Sequence, residues 1–148
     1  MIGAEILLLP DVWQVGCTAT YRIDSTARDF DRAIPIVLDR IKAVTGIDFV
    51  PVAGPADITF MQYPRPTIRY QGTDAIGLWN VGQGTVWLTQ VAPNLRRYLV
   101  THEAMHALGA AHSSDGNIMG TRVVDGFGQD DLDTLNWIAI ANGCDPNE

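Results

Sequence analysis

No apolar run in the chain approaches the length of a membrane span. The most apolar one, Ile6-Leu7-Leu8-Leu9, is stopped by Pro10, whereas a spanning helix takes about 20 residues. No basic segment precedes it, so neither a signal peptide nor a membrane anchor is expected there. Positive charge is also scarce. Ten lysines and arginines stand against seventeen acids, for a formal net charge of −7. The basic residues are scattered, and without a clustered basic face nucleic-acid binding is disfavoured. The acidity serves solubility first, although it would also suit neutral or cationic peptides. Cysteine occurs only at positions 17 and 144, too few for a disulfide framework. The pair can form one bond tying the start of the fold to its end, which suits an oxidising compartment, or remain as free thiols. A third role, Cys17 as a thiolate capping a metal ion, has only Gly16 in its favour.

What is present describes a folded protein. Of the 148 residues, 47% are apolar and 18% charged, enough apolar content to bury a core and too little charge for disorder. Neither a repeat, a low-complexity segment nor a linker divides the chain, so residues 1–148 read as one domain.

The scarce histidines are the informative residues. All three lie in the run His102-Glu103-Ala104-Met105-His106-Ala107-Leu108-Gly109-Ala110-Ala111-His112, and Asn117-Ile118-Met119-Gly120 follows soon after. On a helix, His102 and His106 stand one turn apart on one face and can reach the same ion. Glu103 projects beside that ion rather than onto it. Gly109 can take a positive φ, so the chain can leave the helix sharply and bring His112 back to the same point. Three neutral imidazoles leave one tetrahedral position open, as a catalytic zinc requires and a closed structural zinc does not. Ordinary polar or core-edge histidines would have no reason to cluster in this way.

Around this run the elements alternate. Residues 4–9 suggest a docked strand or extended arm, and Thr18 to Ile23 a strand, broken by Asp24-Ser25-Thr26, which can start a turn or cap a helix. Phe30, Ala33, Ile34, Val37, Leu38, Ile41 and Val44 recur at helical steps up to Gly46. Pro35 requires that this helix begin just before it or kink there. Residues 47–52 and 56–61 predict two further strands, residues 63–75 a surface loop, and residues 76–81 and 85–89 two short strands around Gly82-Gln83-Gly84. Trp79 and Trp87 on that pair form either a substrate shelf or sheet packing. Pro93-Asn94 opens the motif helix, and residues 113–116 form a turn. A last helix runs from about Gln129 to Ala141, buried through Leu132, Leu135, Ile138 and Ala139, with Asp130 and Asp131 in its first turn.

The fixed positions His102, Glu103, His106, Gly109, His112 and Met119 carry the spacing known as the metzincin signature. Over most of residues 18–143 the chain resembles a matrixin-type catalytic domain. Thr20-Tyr21-Arg22-Ile23 is similar to that family's first strand, Val44-Thr45-Gly46-Ile47-Asp48-Phe49 to its helix exit, and Ala56-Asp57-Ile58-Thr59-Phe60 to its third strand. Asn94-Leu95, Ser113 and Asp130-Asp131-Leu132 match as well. The chain departs from the family in having no spare histidines for a structural zinc, no latency peptide, and Thr121-Arg122-Val123 where a Pro-x-Tyr segment usually follows the Met-turn. It therefore resembles a minimal or divergent member.

The resemblance implies an α+β, zincin-like fold: a twisted mixed β-sheet packed on two long helices, the active-site helix and the C-terminal helix. It implies one catalytic zinc on His102, His106 and His112, with Glu103 as general base and Gly109 and Met119 shaping the site. The expected activity is zinc-dependent hydrolysis of internal peptide bonds. A peptide or protein substrate would bind in extended form along residues 76–81. A monomer is expected, with an extracellular location by resemblance; calcium is left open as a second ion, without residues that support it. The alternative is a zinc-dependent protein-binding module on the same fold without turnover, which a fourth ligand such as Cys17 would favour.

Overall fold

A computed structural model describes residues 16–144, so the expected strand or arm over residues 4–9 lies outside the described residues. The fold is α+β: one mixed sheet with helices packed on it. Its first strand, β1 (Thr18–Ile23), buries Ala19 and Tyr21 and leaves the alternate residues more open, the period-2 pattern of a strand with one face on the core. Asp24 then ends the strand and starts a 3-10 turn over Ser25–Phe30, its carboxylate accepting from the Thr26 N–H at 3.0 Å.

Helix α1 (Ala33–Thr45) begins two residues before Pro35, which settles the proline without a kink. In the first turn the missing N–H has no intrahelical partner to lose. Ile34, Val37, Leu38 and Ile41 form its buried stripe. Gly46 stops the helix with a φ of 73° and donates back to Lys42 O, a conformation that side chains with a Cβ resist.

Strands β2 (Asp48–Pro51), β3 (Ile58–Gln62), β6 (Gly77–Asn80) and β7 (Thr85–Leu88) complete the main sheet in the order β2-β1-β3-β7-β6. The pairings β1 with β2, β1 with β3, and β3 with β7 are parallel; β6 runs antiparallel to β7, with Gly77 opposite Leu88. Among the described residues strand β6 is therefore a sheet edge, paired on one side only. Residues 63–75 are not a plain loop. They contain a small antiparallel hairpin, β4 (Ile68–Tyr70) and β5 (Thr73–Ala75). Its two-residue turn, Gln71 at φ 50° and Gly72 at φ 79°, has the positive φ pair that matches the twist of a tight hairpin.

Helix α2 (Arg96–Ala107) follows a 3-10 turn at Pro93–Leu95, and α3 (Gln129–Ala141) closes the described chain. Among the described residues there are thus three long helices, not two: α1 packs against both α2 and α3, while α2 lies on β6 and β7. One apolar core joins them to the sheet, with Phe30, Ile34, Phe60, Leu88, Leu99, Met105 and Leu135 all buried. Trp79 packs against this core. Trp87, on the opposite face of β7, meets Tyr63 edge to face at 5.8 Å. Cys17 and Cys144 are joined as a disulfide, tying the start of β1 to the chain just beyond α3. No helix among the described residues is long and apolar enough to cross a membrane.

Candidate metal centre and cleft

The motif run folds as its spacing requires. His102, Glu103 and His106 lie on α2, which ends at Ala107. Gly109 takes a φ of 107°, and the chain turns back so that His112 approaches the other two imidazoles. The Nε2 atom of His112 lies 3.3 Å from that of His102 and 3.1 Å from that of His106. Nitrogens at the corners of a tetrahedron around zinc, each about 2.0–2.1 Å from the ion, are about 3.3–3.4 Å apart. The two edges that meet at His112 match that spacing, and all three ligand atoms lie within 4.8 Å of one another, close enough to hold one metal ion.

Proton placement supports the same reading. His102 Nδ1 lies 2.8 Å from the Ile118 carbonyl oxygen and His106 Nδ1 2.7 Å from that of Ala110. A carbonyl only accepts, so in each ring Nδ1 carries the proton and Nε2 turns a lone pair inward. His112 could donate to only one of them. Without a cation, at least one close pair of nitrogens would meet lone pair to lone pair. Burial lowers the pKa of His102 and takes that of His106 down to about 4, so both rings are neutral, the ligating form, at neutral pH.

Glu103 follows His102 on α2 and is buried, 5% exposed. Burial pushes its carboxyl up to about 8, because a charged carboxylate there gives up hydration. All three histidines and Glu103 line a cleft of about 670 Å³, whose opposite wall is β6 with Ile76 to Trp79. Trp79 both lines the cleft and packs on the core. Trp87 faces away and takes no part. Hairpin β4–β5 contributes Tyr70, Asp74 and Ala75 to the rim.

Met119 is buried in the core, 2% exposed. The loop that carries it is held by residues whose part in the site the sequence reading did not assign. Asp131, 1% exposed at the start of α3, accepts from the backbone N–H groups of Ile118 (2.5 Å), Met119 (3.3 Å) and Gly128 (2.9 Å). In return, Asn117 Oδ1 accepts from the N–H groups of Asp130 (3.0 Å) and Asp131 (3.3 Å), capping α3 from the loop. Since Ile118 O is the acceptor for His102, this latch reaches the histidine cluster through one peptide unit. The first-turn position of Asp131 was legible as helix-dipole chemistry; its partners in the loop were not. Cys17 lies outside the cluster: its sulfur is bonded to Cys144, so the thiolate role for it is set aside. No protein-family model matches this chain, and no curated protein matches its sequence.

Proposed function

We propose that this protein is a zinc-dependent endopeptidase with a metzincin-type fold. The observation that carries the reading is the convergence of three imidazole nitrogens at 3.1 and 3.3 Å, two of them held as inward lone pairs, beside a buried carboxyl group in one cleft. The mixed sheet, the exit of α2 at Gly109 and the buried Met119 loop on α3 support the fold assignment.

In this reading His102, His106 and His112 hold the zinc. When bound, the ion supplies Lewis acidity, polarising a carbonyl and lowering the pKa of water from roughly 16 towards about 7. Glu103 takes the proton from the attacking water and passes it to the leaving amine. With a cation held by the three histidines, Glu103 would be favoured in its ionised form, the form in which it acts as a base. The substrate peptide extends along the open edge of β6, pairing with its free backbone groups. Main-chain pairing there gives affinity with little dependence on side chains. An oxidising, extracellular setting accords with the Cys17–Cys144 bond.

The test is cleavage of an unbiased peptide library by zinc-loaded protein, with Glu103→Ala as the blank. Cleavage that disappears in the variant while zinc stays at one per chain is the expected result. Zinc bound with no cleavage in the wild type, or cleavage undiminished in Glu103→Ala, would overturn the assignment.

A further inference from the structure

Gly77 begins β6, and its backbone does not ask for a glycine: it is not among the residues with positive φ. Glycine weakens a strand, and where φ does not demand it, it often marks close approach by another part of the molecule. Here the approaching part is the motif helix. A Cβ on Gly77 would lie 2.8 Å from Glu103 Cγ, 2.8 Å from Glu103 Oε2 and 2.8 Å from Leu99 Cδ1, far inside the roughly 3.5–4.0 Å at which carbon atoms pack. Gly77 shares its face of β6 with Trp79, which packs on the core, so this is the face turned to α2. Burial is the influence acting on the Glu103 carboxyl group, with no hydrogen bond to it among the described residues. Packing, not a polar partner, sets where it sits.

We propose that Gly77 is a positioning residue for Glu103: the missing side chain lets the cleft-edge strand close on α2 and hold the carboxyl group against the strand that binds substrate. The catalytic consequence rests on the endopeptidase reading; the contact itself does not. One residue thereby sets the spacing between two parts of the site, the base on the helix and the strand edge along which the peptide would lie. A side chain at 77 must push the carboxylate aside, push the strand outward, or both.

Two measurements test this. The first is thermal unfolding of metal-free Gly77→Ala, Glu103→Ala and the double variant. The shift caused by Gly77→Ala should shrink when Glu103 is truncated, because the group it collides with is gone. The same cycle with Leu99→Ala apportions the share of the second neighbour. Strictly additive shifts with Glu103 would overturn the proposal. If Gly77→Ala does not fold alone, recovery of folding in the double variant gives the same answer. The second measurement uses a peptide that the wild type cleaves. Gly77→Ala should lose about 100-fold in kcat, the scale of an ångström-sized misplacement, with KM little changed and zinc affinity intact. An unchanged kcat in folded Gly77→Ala would overturn the positioning role. A wild type that cleaves nothing would instead count against the endopeptidase reading, and the stability cycle would still decide the contact.

Discussion

The buried groups of the cluster are tuned in opposite senses, and that has a measurable consequence in the metal-free protein. Burial holds Glu103 up at about 8, from an ordinary value of 4.5, and His106 down at about 4, from 6.5. Between about pH 4 and 6.5 the folded chain lacks a proton on His106 that the unfolded chain carries, so this group makes stability rise with pH. Between about pH 4.5 and 8 the folded chain keeps a proton on Glu103 that the unfolded chain has released, so this group makes stability fall with pH. The two oppose each other up to about pH 6.5, and above it only Glu103 remains. Stability of the metal-free protein should therefore decline from pH 6.5 to 8, by at most ~1.4 kcal/mol per pH unit. Denaturant titrations at several pH values check it. Glu103→Gln should flatten the decline, and a decline that persists in that variant would assign it to another group.

At the scale of elements, the centre is assembled by one helix, one turn and one latch. Helix α2 supplies two imidazoles, the turn at Gly109 returns the third, and the start of α3 fixes the Met119 loop through Asp131 and Asn117. The first two were legible in the sequence because their determinants are local: a four-residue spacing of histidines and a glycine where φ must be positive. Helices α1 and α3 were legible for the same reason, through apolar periodicity and end signals at Gly46 and Gln129. The latch was not, because Asp131 meets Ile118 and Met119 only once α3 has docked. The β4–β5 hairpin escaped because its strands are three residues each and its turn is Gln71-Gly72, without the usual Asn-Gly or Asp-Gly signal. Gly77 did leave a trace, an isolated glycine in a strand, but nothing local says what lies above it. The latch carries its own prediction. In Asp131→Asn an amide N–H₂ replaces one acceptor facing the loop's N–H donors, so the Ile118 carbonyl loses its fixed position over His102. Zinc affinity should fall by about 10–100-fold, the usual cost of losing a partner that orients a ligand. Chelator competition at a temperature where the variant is folded measures this. Leu135→Ala, in the core on the same helix, is the control: it should lower stability and leave zinc affinity alone. Equal effects from both would reduce Asp131 to a structural role.

For the whole molecule, the disulfide closes a loop with the histidine cluster inside it. Cys17 and Cys144 are 127 residues apart in sequence, and they join the entry of β1 to the chain beyond α3. Gly16 N also donates to the side-chain oxygen Asn142 Oδ1 at 3.0 Å, so a hydrogen bond ties the same two segments together. A cross-link over so long a loop acts mainly by restricting the unfolded chain, and native bonds of this kind contribute about 2–4 kcal/mol. The histidines are held separately, by α2 and by the loop latched to the start of α3, at the other end of that helix from Cys144. The double variant Cys17→Ser/Cys144→Ser should therefore melt about 6–12 °C lower, yet bind zinc with unchanged affinity well below its transition. Scanning calorimetry and a chelator titration on the same sample check both halves. A melting temperature that does not move would mean that the bond contributes nothing in solution. A loss of zinc affinity in the still-folded variant would mean that the far end of α3 governs the metal centre, contrary to the separation of roles seen in its contacts.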